Sequence, residues 1–351
     1  MTAWADPSPP ILDVALLKRL RAAAGFVRLD DLPGDPRAVA AAVDALGAFG
    51  FELERRDGEV AYRGPSSRLC PDQIGHELGT RRIGRRVAVW NRVESTNDHA
   101  ARVAATTAND GLVILAEEQT AGRGRRGRSF VAPAGSSLLM SVLLFPPDGL
   151  APTVGDSGAG TAWLTLVGAV AAAELASDHT GQQALIKWPN DVRVDGRKLC
   201  GVLVERVLRP SGPAAAVIGI GLNVHVSADE FPPDLRDSAT SLSLLSGRSF
   251  DRSELARELI QRLDRWYDAG LREGPAVLAP AWRSRCEHLG RLVRVTTTTG
   301  VLSGRLVDVD VARGLSLEPA AGSGLIRVPL EAVAALGPPD GPVGPQRART
   351  S

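Results

Sequence analysis

Between two apolar runs, Leu112 to Ala116 and Leu138 to Phe145, the chain carries Gly122-Arg-Gly-Arg-Arg-Gly-Arg128, four arginines and three glycines in seven residues. That succession constrains the fold more than any other feature. The apolar runs read as buried strands, and the charged stretch reads as a loop that directly follows one strand, with Gln119 at its root. Glycines let backbone amides converge on anionic oxygens, and guanidinium groups add planar, bidentate bonds to phosphate or carboxylate. The same composition also describes a solvated basic loop or an Arg/Gly tract for nucleic acid. Such tracts are long and disordered, whereas this one is short and wedged between strands.

Further strand-like runs lie at Val87 to Asn91, Val202 to Leu208 and Ala215 to Leu222, interrupted by helical patterns at 97 to 105, 161 to 177 and 252 to 268. The middle of the chain is therefore expected to be one α+β domain over residues 85–285. Asp251 and Glu254 open its last helix with the spacing of a capping box. Pro146 to Gly160 has the composition of a surface loop. Residues 1–64 read as two helices and a hairpin. The first helix carries Leu16, Leu17 and Leu20 and ends at Gly25; the second opens at Asp35-Pro36, and the hairpin turns at Arg56-Asp57-Gly58. That order suggests a winged helix. Residues 65–84 form a connector, 286–337 a small all-β module punctuated by glycines, and 338–351 a disordered tail.

Composition limits the function classes. A length of 351 residues fits two or three domains, and 44% hydrophobic residues fill a core. Forty-one basic against 40 acidic residues leave a net charge of +1, so no global field draws the chain to nucleic acid or membrane. Cys70, Cys200 and Cys286 are too few and too widely spaced for a disulfide framework or a CxxC metal site, and the five histidines lack metal-ligand spacing. With no basic-then-apolar start and no run of about 18 apolar residues, a soluble cytoplasmic protein is expected.

Three other segments carry chemistry. In Lys187-Trp-Pro-Asn-Asp191 a lysine beside a tryptophan and a proline suits a partly desolvated ammonium facing an anion, although Pro-Asn-Asp is also ordinary turn chemistry. Glu94-Ser-Thr-Asn97 precedes a helix and serves either as its cap or as a set of polar ligand contacts. Gly219-Ile-Gly-Leu-Asn223 ends a strand, where glycines mark a bulge or a close backbone approach.

These four segments, in this order and spacing, resemble biotin-protein ligases over roughly residues 86 to 335, with further matches at Arg197 to Glu205 and Asp234 to Leu242. The resemblance implies a catalytic domain like that of class II aminoacyl-tRNA synthetases, followed by an SH3-like β domain. It implies ATP with Mg²⁺ and biotin as the small molecules and a biotin carboxyl carrier domain as the protein partner. Carried over by position, Ser95, Thr96, Asn97 and Gln119 meet the biotin head group. Arg123, Gly124 and Arg125 lie over biotin and the phosphate of the intermediate. Arg126, Asn190 and Asn223 join Arg123 and Arg125 on the nucleotide, and Lys187 meets the reacting carboxylate and α-phosphate. Lys187 and Arg125 are the expected catalytic residues. The aromatic that family members place on adenine has only Phe231 as a candidate, so that position stays unassigned. A lipoate-protein ligase is the nearest rival, and the arginine-rich loop with Lys187-Trp-Pro-Asn-Asp191 favours biotin.

Some biotin-protein ligases also repress transcription through an N-terminal winged helix. Here Ala38 through Glu54 contain no Lys, Arg, Asn or Gln, while Asp44, Glu52 and Glu54 are present. A polyanion is repelled there, which argues against DNA binding. A homodimer is left open.

Overall fold

The structure is a computed structural model that describes residues 11–150, 159–207, 209, 212–297, 299–311, 313–319 and 324–339. The N-terminal unit consists of α1 (Val14–Ala22), β1 (Phe26–Arg28), α2 (Pro36–Phe49), β2 (Glu52–Arg56) and β3 (Glu59–Gly64), with the strands in the order β1-β3-β2. The hairpin turns at Asp57-Gly58 as its sequence suggests. Gly25 does not end the first helix: α1 stops at Ala22 and Ala24 takes the positive φ, 51°. Asp13 caps α1 by accepting from the Leu16 amide at 2.8 Å.

The connector is more structured than a linker. It contains α3 (Pro71–Gly75) and is pinned to the later helix Arg252–Glu273, whose Asp264 carboxylate accepts from the amides of Arg81, Arg82 and Ile83 at 2.7–2.8 Å. Three backbone donors on one buried carboxylate fix the entry of the next domain.

That domain is a seven-stranded sheet. Its elements are β4 (Val87–Val93), α4 (Thr96–Arg102), β5 (Val113–Gln119), β6 (Ser137–Leu144), α5 (Ala159–Thr180), β7 (Leu185–Lys187), β8 (Asp191–Val194), β9 (Arg197–Val207), β10 (Ala215–Asn223), α6 (Leu242–Ser246), α7 (Arg252–Glu273) and α8 (Ala279–Arg283). The strand order is β4-β5-β6-β10-β9-β8-β7, with β4 and β5 parallel and every other pair antiparallel. Strand alternation sorts the two faces. Leu138, Met140, Val142 and Leu144 of β6 join the large core with α5 and α7, whereas Leu143 packs with Ala100 of α4. Ser141, on the α4 side, is fully buried, and a polar residue there has to find partners. The helices α5 and α7 thus cover one face and leave most of the other to α4 and loops.

Asp251 caps α7 by accepting from Ser253 and Glu254, but Glu254 does not close the capping box. It turns instead to Arg21 of α1 and Gln73 of α3, at 3.1 and 2.8 Å, which docks the N-terminal unit and the connector on α7. Strands β7 and β8 went unrecognised in the sequence because three or four residues give no readable alternation.

The C-terminal strands β11 (Leu292–Thr297), β12 (Val301–Asp310), β13 (Gly314–Pro319), β14 (Ile326–Val328) and β15 (Val333–Gly337) form an antiparallel sheet in the order β14-β13-β12-β11-β15. It shares the main core through Val293, Leu306 and Val309. The segment before it lies along β7: Ile186 donates to the Arg285 carbonyl at 2.7 Å and accepts from Glu287 at 3.1 Å. Of the expected tail, residues 340–351 lie outside the described residues, as do residues 151–158 of the expected surface loop.

Candidate active site

The open face of the sheet is floored with glycine. Gly221 of β10 lies in register with Gly201 of β9, and Gly219 lies two residues along. The β10 register with both neighbours is continuous, so these glycines mark no bulge. They make room for side chains instead. A Cβ on Gly219 would stand 2.3 Å from Asn97 Oδ1, and one on Gly221 would stand 2.6 Å from the Phe130 ring.

At one flank Ser95, Thr96 and Asn97 start α4, and all three are buried. Ser95 occupies the N-cap position without using its hydroxyl as a cap, so capping does not account for this motif. Gln119, at the end of β5, accepts from the Thr96 amide at 2.7 Å, with the Thr96 hydroxyl at 3.0 Å. The Ser141 hydroxyl lies 2.7 Å from Thr96 Oγ1 and 2.6 Å from Asn97 Oδ1, and Asn97 Nδ2 donates to Glu205 of β9 at 2.6 Å. Four elements thus meet in one hydrogen-bonded polar cluster.

The arginine loop crosses the sheet from there. Arg123 donates to Asp98 at 2.6 Å and to both Glu205 oxygens at 3.1 and 3.0 Å. The Asp98 hydrogen bond, with Glu205 adding, binds its proton more tightly than usual. Gly122 passes so close to Phe130 that a Cβ would stand 2.4 Å from its carbonyl. Gly124 is extended, with φ −116° and ψ −178°. Arg125 is half-buried; burial first, then neighbouring Arg126, lowers its proton affinity, and Asp191 of β8 opposes them. Arg126 adopts φ 58° and donates to the carbonyl of Ala334 in β15. The C-terminal sheet therefore holds one end of the loop.

Lys187 ends β7 in register with Asp191, and the two flank a cis Trp188-Pro189 bond. Trp188 packs against Trp282 of α8, ring centroids 5.2 Å apart. Asn190 is committed to the framework: its Nδ2 donates to the Val202 carbonyl at 2.7 Å and its own carbonyl accepts from the Val202 amide at 2.9 Å. Asp191 pairs with Lys198 at 2.7 Å. Asn223 closes β10, buried, and donates to the Thr240 carbonyl at 3.1 Å. Phe231 is only 5% exposed, clustered with Val226 and Ala239, and offers no open ring face.

The fold thus gathers Ser95, Thr96, Asn97, Gln119 and Arg123 at one flank, puts Lys187 and Asn190 at the other, and carries Arg125 toward the latter. Sequence reasoning missed Asp98, Phe130, Ser141, Lys198 and Glu205. Ser141 had a signal, a hydroxyl inside the apolar run Leu138 to Phe145; Lys198 and Glu205 lie in the matching segment Arg197 to Glu205, which carried no role for either side chain.

Among the described residues no three His, Cys, Asp or Glu side chains converge as a metal site, and no helix is long and apolar enough to cross a membrane.

Residues 89–223 match the biotin/lipoate A/B protein ligase family. The chain is 38% identical over 265 residues to the biotin--[acetyl-CoA-carboxylase] ligase of Mycobacterium tuberculosis, covering 72% of this chain and 92% of that protein. It is 31% identical over 278 residues to the bifunctional ligase/repressor BirA of Bacillus subtilis, covering 79% and 83%. Among solved structures it is similar to the biotin protein ligase from Aquifex aeolicus in complex with biotin and ATP, with a TM-score of 0.60, 25% identity and coverage of 72% and 98%. The chain belongs to the biotin/lipoate protein ligase family.

Proposed function

We propose that this protein is an ATP-dependent biotin-protein ligase. The observation that carries the reading is the arginine loop laid over a glycine floor, with Arg123 anchored at the Asn97 flank and Arg125 within the field of Asp191, beside Lys187. A ligand with a polar head, an apolar middle and a phosphate at its far end fits such a strip.

Biotin carboxylate and ATP are both anions, and their approach needs fixed positive charge. Lys187 and Arg125 supply it where the carboxylate oxygen attacks the α-phosphorus and pyrophosphate leaves. The half-burial of Arg125 strengthens its field there, because less water screens it. The product is biotinyl-AMP, a mixed anhydride. A neutral lysine amine of the carrier domain then attacks the acyl carbon, AMP leaves with the C–O bond pair, and the nitrogen loses its proton to give the amide. Positioning and electrostatics carry both steps, so no nucleophilic side chain is required. Magnesium held on the nucleotide's phosphates asks little of the protein, one or two carboxylates at most. Asp191 has the chemistry for that role, and bound magnesium would offset phosphate charge.

Ser95, Thr96, Asn97 and Gln119 take the head group in this reading, Asn223 the nucleotide. Asn190 is better read as the pin of the Lys187 turn than as a nucleotide ligand. The units are read as a winged-helix-like domain (1–64), a connector (65–84), a synthetase-like catalytic domain (85–285) and an SH3-like domain (286–337), a division that the three separate sheets support. The repressor reading has less support: Arg55 pairs with Asp44 at 2.6 Å, and Arg56 and Arg63 share Glu54, so these basic side chains face local carboxylates.

The test is purified protein with ATP, Mg²⁺ and either biotin or lipoate, read as pyrophosphate release and as label incorporated into a carrier domain. Activity with lipoate and none with biotin overturns the assignment.

A further inference from the structure

We infer that Glu205 is a positioning residue that sets the head-group amide of Asn97 and the resting place of Arg123 with one carboxylate. The inference rests on the ligase reading, since it assigns Asn97 and Arg123 to that site.

The Asn97 amide has two ends, and a head-group contact depends on which way it points. Ser141 lies on its oxygen at 2.6 Å, and Glu205 Oε2 accepts from its nitrogen at 2.6 Å. A carboxylate only accepts, so it admits the nitrogen and rejects the oxygen. One N–H of Asn97 is thereby spent on Glu205, and the second stays free to donate to a carbonyl-type oxygen. Gly219 completes the arrangement by leaving the space that Oδ1 fills. The same Glu205 carboxylate takes Arg123 Nη2 on both oxygens. Glu205 therefore ties the start of α4 to the first arginine of the loop, two segments 26 residues apart in sequence that must serve one ligand. Charge-assisted bonds of this kind are about twice as strong as neutral ones. Glu205 itself points at protein groups, so its effect on ligand passes through Asn97 and Arg123.

The experiment measures biotin affinity by calorimetry in the full chain, without ATP, for the wild type and Glu205→Gln, alongside thermal melting. Glutamine keeps the size but lets the amide pair flip and drops the charge on Arg123. Biotin binding is expected to weaken about tenfold or more, with the melting temperature held within a few degrees. In an Asn97→Ala/Arg123→Gln background, Glu205→Gln is expected to add less than about twofold. Affinity unchanged in the single variant, or a full multiplicative loss in that background, overturns the proposal. A large fall in melting temperature with unchanged affinity in the folded fraction does the same. A wild-type chain that binds no biotin overturns the ligase reading itself.

Discussion

Adding one methyl group at Gly219 tests the glycine floor directly. The new Cβ would stand 2.3 Å from Asn97 Oδ1, where ordinary contact begins at 3.4 Å, so the amide or the strand has to yield by about 1 Å. The strand is held on both sides, in register with Ser141 and Leu203, so the amide moves. It then leaves its bonds to Ser141 and Glu205, both 2.6 Å. Overpacking of this kind costs about 1–3 kcal/mol of stability, and a 1 Å misplacement in a site costs up to about 100-fold in rate. Gly219→Ala is therefore expected to lower the melting temperature by several degrees and to slow biotin-dependent pyrophosphate release 10- to 100-fold, on the order of that estimate. Gly47→Ala is the control: it sits in α2 with nothing within 4 Å of its Cβ position, and it is expected to gain about 0.5–1 kcal/mol. A Gly219→Ala protein with wild-type biotin affinity and melting would refute the claim that the glycine exists to seat Asn97.

Lys187→Gln is expected to slow adenylation about 100- to 1000-fold at an unchanged melting temperature, and an unaltered rate in the folded variant removes Lys187 from the chemistry. Glu117→Gln breaks a buried pair with Arg252, 2.6 Å long and with Arg252 only 4% exposed, and is expected to cost about 3–5 kcal/mol in denaturant unfolding; a loss below 1 kcal/mol speaks against it. Burial lowers the proton affinity of His288 and His225 below the ordinary 6.5. The unfolded chain then binds protons first, so their contribution to stability is intact above that value and is lost as pH falls through it. Melting followed from pH 8 to 5 should decline below about 6.5 and decline less in His288→Gln; equal slopes count against the assignment. Proteolysis within 122–128 is expected to slow when biotinyl-AMP is bound, because the loop's glycines restrain it little, and equal cleavage with and without ligand argues against ordering.

What the sequence made legible follows from how each signal is carried. The charged loop between apolar runs announced itself because composition alone distinguishes seven such residues from their neighbours, and strands β5, β6 and β10 were readable because the mostly apolar runs Leu112 to Ala116, Leu138 to Phe145 and Ala215 to Leu222 have few other uses. The site's second half was not readable at the same level. Glu205 is an ordinary acidic residue near the end of β9 until the sheet order sets β9 beside β10, and only then does it reach Asn97. Phe130 looks like the end of a polar loop until Gly221 opens a place for its ring. Both contacts join segments at least 90 residues apart, so no local periodicity encodes them. Gly219 and Gly221 sit on the boundary between the two cases: their small size was visible, but a bulge and a seat for another side chain predict the same letters, and only an unbroken register on both edges of β10 separates them. The motif residues are thus the half of the site that the chain writes locally, and the carboxylates and rings that aim them are the half that the topology supplies.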